Sequence, residues 1–269
     1  MRRTRALATA LTVAALALGM AACGSGAGAS SSGTAGAGLG LVQNGTLTVA
    51  TEGTYRPFDY HENGAGPLVG YDVEVAQAVG KKLGLKVVFK ETQFDAIFAG
   101  LDAGRFDTIA DQISITPQRQ TRYLFSQPYT ISHGVVVVKA GNTSIKSFAD
   151  LKGKTTAQSL TSSFYQEAKA AGAKVQSVEG WAQAVALLQQ GRVDATVNDQ
   201  LTYLDYVKQH GQSGLAVAAT TNDASQSAFV FTKKHQALTT AIDGALKDLA
   251  ADGTLTRLSQ KYFGDDVSK

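Results

Sequence analysis

The most informative stretch of the 269-residue sequence is Asp111-Gln112-Ile113-Ser114-Ile115-Thr116-Pro117-Gln118-Arg119. It follows a short apolar segment, residues 108–110, that is typical of a β-strand. Thr116 is a good N-cap and Pro117 suits the first helical position, so a helix should begin there. The order strand, loop, helix is the repeating unit of α/β folds with mostly parallel strands.

The same stretch predicts an anion receptor. Arg119 falls in the first turn of the expected helix, where free N–H groups and the positive dipole end attract a carboxylate or phosphate. The Ser114 hydroxyl would converge on the same point. The alternative is a surface arginine beside an ordinary helix start, although the dipole disfavours a first-turn arginine that has no anion to bind.

Outward from this stretch, apolar strand patterns alternate with helical patterns along the chain. The predicted strands are residues 46–50, 87–90, 108–110, 135–138, 155–158, 175–178, 195–197, 215–218 and 228–231. The predicted helices are 73–83 with Asp72 as cap, 96–101, one from Pro117, 163–171, 182–188, one through Leu204, and a closing helix at 238–249. Two such βαβ sets predict two lobes, with a ligand in the crevice outside the carboxyl ends of the strands.

Two further segments place chemistry at that crevice. Asp199 lies just past the strand at residues 195–197, where its carboxylate would bind an ammonium group or cap the next helix. Asp194 lies at the start of that strand and should face away. The loop after the first strand presents Tyr55, and Phe94 opens a later helix, so two aromatic walls could enclose a small ligand. Phe58 in the same loop is better interpreted as core.

The N-terminal region predicts export. Three arginines precede an apolar run at residues 6–20, which is too short for a membrane span of about 20 residues and is typical of a signal peptide. The run ends in Met20-Ala21-Ala22-Cys23, which resembles a bacterial lipobox. We expect residues 1–22 to be a lipoprotein signal peptide, Cys23 to carry a lipid, and the Gly/Ser/Ala-rich residues 23–43 to be a flexible linker. The alternative is an ordinary signal with an incidental cysteine.

Composition excludes several classes. The chain has 25 Lys and Arg against 22 Asp and Glu. The three basic residues of the predicted signal account for the whole surplus, so no basic face for nucleic acid is expected. One cysteine excludes an intrachain disulfide framework and a cysteine-cluster metal site, and the four histidines are scattered. We expect no cofactor and no metal.

With these segments placed, the chain resembles the family 3 extracellular solute-binding proteins, the polar amino-acid receptors of ABC importers. The resemblance runs from about Gly45 to Phe263. It rests on ordered motifs: Thr54-Tyr55-Arg56-Pro57-Phe58, Gly70-Tyr71-Asp72-Val73-Glu74, Ser114-Ile115-Thr116-Pro117-Gln118-Arg119, Phe125-Ser126-Gln127-Pro128-Tyr129, Asp150-Leu151-Lys152-Gly153-Lys154, Gly191-Arg192-Val193-Asp194-Ala195, Asp252-Gly253-Thr254-Leu255 and Lys261-Tyr262-Phe263-Gly264.

The resemblance implies a two-lobed periplasmic-binding-protein fold of type II with the ligand cleft between the lobes. Lobe 1 would be residues 44–130 and 228–269, and lobe 2 residues 131–227. The implied ligand contacts are Arg119 for the α-carboxylate, Asp199 for the α-amino group, and Glu52, Tyr55, Phe94, Asp111, Gln112, Ser114, Ser162 and Ser163 around the rest of the ligand.

The chain departs from the family pattern at two points. It has Thr161-Ser162-Ser163 where many members have Gly-Thr-Thr, and the acidic Asp111 stands where a small residue is usual, which favours a polar or basic-tolerant side-chain pocket. The Glu52 loop, Gln112 and the ending Gly264-Asp265-Asp266-Val267 look most like the L-cystine-binding subgroup.

The implied protein is a monomeric, extracytoplasmic receptor that delivers an amino acid to an ABC permease and is attached to the membrane by lipid only. It is not expected to be an enzyme. The alternatives are a cyclohexadienyl-type dehydratase on the same fold, with Glu52 or Asp111 as the acid, and a ligand sensor for another membrane protein.

Overall fold

The computed structural model describes residues 36–211 and 214–269, which belong to one compact unit. The predicted signal peptide and the predicted lipid anchor Cys23 lie outside these residues. None of the helices within them has the length and hydropathy of a membrane span.

Fifteen strands and eight α-helices are assigned in this part of the chain. The strands are β1 (Thr46–Thr51), β2 (Thr54–Tyr55), β3 (Asp59–His61), β4 (Leu68–Val69), β5 (Lys86–Glu91), β6 (Thr108–Ile109), β7 (Tyr123–Phe125), β8 (Thr130–Ser132), β9 (Gly134–Lys139), β10 (Thr155–Gln158), β11 (Lys174–Ser177), β12 (Ala195–Asp199), β13 (Leu215–Thr220), β14 (Ser225–Ser227) and β15 (Val230–Thr232). The helices are α1 (Tyr71–Lys82), α2 (Phe94–Asp102), α3 (Pro117–Arg122), α4 (Ser163–Ala170), α5 (Gly180–Gln189), α6 (Gln200–His210), α7 (Gln236–Ala251) and α8 (Thr254–Phe263).

Two five-stranded sheets organise these elements, with the orders β5-β1-β6-β15-β7 and β11-β10-β12-β9-β13. In each sheet the first three strands are parallel and the fourth is antiparallel to both its neighbours. Four of five strands therefore point the same way, and the predicted α/β architecture with mostly parallel strands is confirmed. We call the part built on the first sheet lobe 1 and the part built on the second lobe 2; the residue boundaries given above for the lobes stay a prediction.

The antiparallel strand of each sheet is the first strand of that sheet after the chain crosses over from the other lobe. β9 follows β8 into lobe 2, and β15 follows β14 back into lobe 1. β8 and β14 pair with each other in a two-stranded antiparallel ribbon. This ribbon lies where the chain crosses between the lobes, so a change in lobe orientation would pass through it.

The start of α1 corrects one expectation. Asp72 was expected to cap this helix from outside, but the helix begins at Tyr71 with Gly70 as N-cap. Gly70 has φ 136°, and a Cβ there would lie 2.1 Å from the carbonyl oxygen of Phe58. This close backbone contact, in which the Asp72 N–H donates to the same oxygen, starts the helix earlier and buries Asp72.

Two other expectations change at the ends of the folded region. The helix predicted to close the chain is α7, and a further helix, α8, follows it and packs Leu255 into the main core. At the other end, Leu39 and Leu41 pack on that core, and the Val42 N–H donates to Asp107 at 2.7 Å. The last residues of the predicted linker are therefore docked rather than flexible.

Candidate functional site

A cavity lies between the lobes at the carboxyl ends of parallel strands from both sheets. Glu52 follows β1 and Asp111 follows β6, while β10 ends in Gln158 and β12 in Asp199. Space not occupied by protein atoms amounts to about 540 Å³ there, including the part open to solvent. Of the ten predicted contacts, eight line this cavity: Glu52, Tyr55, Phe94, Asp111, Gln112, Arg119, Ser162 and Ser163.

Arg119 lines the cavity and is held in place by hydrogen bonds. Thr116 caps α3 by accepting a hydrogen bond from the Arg119 N–H at 3.2 Å. The guanidinium Nη1 donates to the carbonyl oxygen of Ser114 and Nη2 to that of Thr161, each at 3.0 Å. Burial lowers the pKa of Arg119 to about 10, so the group stays cationic at neutral pH. A guanidinium has five N–H donors, so these two bonds leave donors for an anion.

Asp199 serves first as a helix cap. Its Oδ1 accepts hydrogen bonds from the N–H of Leu201 at 2.8 Å and from the Ser132 hydroxyl at 2.7 Å. Burial raises its pKa to about 6. The cavity wall at this point is its neighbour Asn198, which accepts a hydrogen bond from the Tyr55 hydroxyl at 2.7 Å across the lobes. Asp199 is thus a buried carboxylate directly behind the wall, and its predicted contact with an amino group stays a prediction.

The three predicted serines differ in what their hydroxyls do. Ser114 and Ser163 come from different lobes, and their Oγ atoms lie 3.1 Å apart. The Ser162 hydroxyl accepts from the Tyr165 N–H at 3.0 Å as the cap of α4 and donates to the Ser159 carbonyl at 2.8 Å. Ser114 and Ser163 therefore meet at the cleft, whereas the Ser162 hydroxyl is already used within its own loop.

Acidic and amide side chains also line the cavity. Asp111 is fully buried, and no group in the described ranges donates a hydrogen bond to either of its carboxylate oxygens. Gln112, at φ 47°, donates through Nε2 to Asp72 at 2.6 Å and to Thr130 at 3.1 Å, and its Oε1 has no donor within the same ranges. Burial raises the pKa of Glu52 and holds that of Asp111 well above its usual range.

Aromatic and amide side chains complete the walls. Tyr55 and Phe94 line the cavity as predicted, while Phe58 is fully buried behind Tyr55. Gln158 was not predicted. The Thr156 hydroxyl donates to its Oε1 at 2.8 Å, and its buried Nε2 has no acceptor in the part of the chain described. Its position at the carboxyl end of a parallel strand was the available signal.

Asp95 was also missed, and it joins the lobes. From lobe 1 it accepts hydrogen bonds from the backbone N–H groups of Leu160 (3.2 Å) and Thr161 (2.9 Å) and from the Thr161 hydroxyl (3.0 Å). From the sequence alone, Asp95 is simply an acidic residue in the first turn of α2, and an acidic side chain is stabilising near any helix N-terminus. The three bonds show that Thr161, the departure from the family pattern, is used in a contact across the lobes.

Two other contacts show how closely the lobes approach. Arg56 of lobe 1 pairs with Asp205 of lobe 2 at 3.1 Å. A Cβ at Gly180, in lobe 2, would lie 2.6 Å from Glu52 Oε1 in lobe 1. The cleft is therefore closed around the cavity.

Comparison with solved structures agrees with a closed cleft. An ancestral arginine-binding protein bound to arginine is 39% identical with a TM-score of 0.76, covering 81% of this chain and 98% of that one. The L-cystine solute receptor of Neisseria gonorrhoeae in its unliganded open conformation is 46% identical, yet its TM-score is 0.56, over 83% of this chain and 95% of that one. The more identical protein, whose structure is open, superposes less well. The predicted two-lobed periplasmic-binding-protein fold is confirmed.

Sequence comparison leads to the same group. The L-cystine-binding protein TcyA of Bacillus subtilis (strain 168) is 51% identical over 227 residues, which are 84% of each chain. The family described as bacterial extracellular solute-binding proteins, family 3, matches residues 47–265. The chain belongs to the bacterial extracellular solute-binding proteins of family 3.

Proposed function

We propose that the protein is the substrate-binding lipoprotein of an ABC importer, and that it binds a polar amino acid, with L-cystine favoured, between its closing lobes. The observation that carries this proposal is the distribution of charge around one interlobe cavity. Arg119, Glu52 and Asp111 all line this cavity, and Asp199 lies behind its wall. An amino acid carries both charges on one small molecule and so complements this arrangement.

Binding would favour closure because the ligand contacts both lobes only when they meet. Arg119 and Tyr55 belong to lobe 1, while Asn198, Asp199 and Ser163 belong to lobe 2. A ligand that holds Arg119 and the lobe 2 groups together shifts the equilibrium toward the closed state. The closed form would then deliver the amino acid to a membrane permease, with the protein held outside the cytoplasm by lipid at Cys23. Names of relatives support this, since one is described as a probable amino-acid ABC transporter-binding protein.

The test is the substitution Arg119→Ala with calorimetry against L-cystine and the common amino acids. A ligand carboxylate left buried without its partner costs about 3–5 kcal/mol, or at least roughly 10²–10³-fold in affinity. Arg122→Ala is the matched control, because Arg122 lies on the same helix but is exposed and pairs with Asp102. Near-native affinity in Arg119→Ala would refute the assigned carboxylate site.

An enzyme on the same scaffold is the second candidate, and one observation favours it. Asp111 is a buried carboxyl group whose raised pKa would keep it protonated, as a general acid requires. Incubating the protein with arogenate or prephenate distinguishes the two, since turnover would establish a dehydratase and stable binding without turnover would establish a receptor.

A further inference from the structure

The cavity lining includes a carboxyl group that has no partner of opposite charge among the described residues. Asp111 is 0% exposed, lines the cavity, and receives no hydrogen bond on either oxygen from the residues described. Beside it, the Oε1 of Gln112 is a second buried acceptor without a donor there. Buried polar atoms are nearly always paired, so these acceptors indicate a group that the protein itself does not supply.

A second carboxyl group lies behind the first. Asp59 is also 0% exposed; its Oδ1 accepts from the Gly53 N–H at 2.6 Å, and its Oδ2 has no donor in the described ranges. The two carboxyl groups repel each other when both are ionised, and this repulsion adds to the effect of burial in raising the pKa of Asp111. Two buried carboxylates that repel each other do not both ionise easily, so one of them keeps its proton.

The surroundings do not neutralise the pair. The nearby charges are those of Glu52 and Asp72, which raise the pKa of both carboxyl groups by repulsion. The charge of Asp111 in turn raises the pKa of the buried hydroxyls of Tyr55 and Tyr129.

The opposite wall adds no charge either. The lobe 2 residues that line the cavity are all uncharged, and Arg119 is the only cationic residue in the lining. Desolvation and like charge both oppose ionisation of the pair, so it holds a proton in the empty cleft.

We propose that Asp111 is the subsite for a cationic nitrogen at the far end of the ligand, and that this nitrogen displaces into solvent the proton that this pair of buried carboxyl groups holds in the empty cleft. The inference rests on the proposed function, because Arg119 must hold the α-carboxylate for the far end to reach Asp111. L-Cystine supplies such a nitrogen through its second ammonium, and L-arginine through its guanidinium. L-Glutamine has a neutral far end and supplies none.

Gln158 should distinguish L-cystine from L-arginine. Its unpaired Nε2 faces the same cavity from lobe 2. The far end of cystine carries a carboxylate as well as an ammonium, whereas the far end of arginine carries only donors. Gln158→Leu should therefore weaken cystine binding about tenfold, the loss of one charge-assisted hydrogen bond, and leave arginine binding within about twofold. Equal effects on both ligands would rule out cystine as the source of the nitrogen.

The experiment is calorimetry near pH 7.5 with L-cystine, L-arginine and L-glutamine in buffers of different ionisation enthalpy, which counts protons released on binding. The full-length protein is expected to release about one proton more with a cationic ligand than Asp111→Asn does with the same ligand. Comparing the same ligand cancels its own amine titration. Glutamine should show no such difference.

Two isosteric variants distinguish the roles within the pair. Asp111→Asn should lose proton release and bind arginine or cystine at least about tenfold more weakly, with thermal unfolding as the check on folding. Asp59→Asn removes the charge that opposes ionisation of Asp111, so it should reduce proton release while it keeps or increases affinity for the cationic ligand. A residue with only a structural role would not produce this opposite response.

Failure of this inference can be distinguished from failure of the proposed function. Cationic ligands that bind without releasing the extra proton, or that bind Asp111→Asn as tightly as the unaltered protein, overturn the inference while amino-acid binding through Arg119 stands. If the unaltered protein binds no amino acid at all, both fall.

Discussion

Replacing Asp95 with alanine removes a connection between the lobes without touching the cavity lining. Asp95 accepts three hydrogen bonds from Leu160 and Thr161, at 2.9 to 3.2 Å, and all three cross from lobe 1 to lobe 2. They can exist only when the lobes are closed. The Thr161 loop that they hold also carries the carbonyl to which Arg119 donates. Asp95 therefore stabilises the closed state and positions the loop against Arg119.

The magnitude follows from the number of bonds and their exposure. Each solvent-exposed bond contributes about 0.5–1 kcal/mol net, so three amount to about 1.5–3 kcal/mol. Removing the Asp95 charge also relieves its repulsion with Glu52 and Glu179, which returns up to about 1 kcal/mol. The net loss is about 0.5–3 kcal/mol, so the closing equilibrium should fall about 2–150-fold. Apparent ligand affinity should fall by the same factor because only the closed state retains the ligand.

Calorimetry measures the affinity, and small-angle scattering with saturating ligand measures whether the lobes still close. The control is Asp102→Ala, which removes a carboxylate from the same helix whose partners, Arg122 and Tyr123, belong to lobe 1. Asp102→Ala should leave affinity within about twofold. If Asp95→Ala also left affinity within that range, the contact would contribute nothing to closure and the reasoning would be refuted.

Two other predictions concern closure and pH. Gly180→Ala should weaken binding about tenfold, because its Cβ would lie 2.6 Å from Glu52 Oε1 only in the closed state and would break the hydrogen bond from Thr54 to Glu52. Gly191→Ala is the control, because it carries similar backbone strain at φ 71° but its Cβ would have no neighbour within 4 Å. Calorimetry should find the ligand affinity of this control unchanged. Equal losses of affinity in both variants would contradict a clash in the closed state. Burial raises the pKa of Asp72 from 3.8 to about 6, so its stabilising contribution is complete below pH 4 and is lost as pH rises through 6. Urea titrations should show Asp72→Asn gaining up to about 3 kcal/mol relative to the unaltered protein between pH 4 and 6, and a difference independent of pH would refute the assignment.

Structural features that depend only on residues close in sequence could be predicted from the sequence. The Thr116 cap and the Asp199 cap were both predictable, because a capping side chain bonds to a backbone N–H two or three residues away. The alternation of strands and helices was predictable for the same reason. The strands that were missed are short pieces such as β8 and β14, which are strands only because they pair with each other.

The sequence by itself determined the α/β class, the arginine at a helix start and the acidic residues after the strands, since periodicity and capping are local properties. Only the tertiary structure decided what those acids do. Asp72 bonds to Gln112 at a separation of 40 residues, and Asp95 bonds to Thr161 at a separation of 66. Asp59, at the start of β3, and Asp111, after β6, are both buried, and their charges oppose each other. Whether a carboxylate is a surface charge, a contact between lobes or one of two buried acids depends on burial and on partners far along the chain, and those are properties of the folded molecule alone.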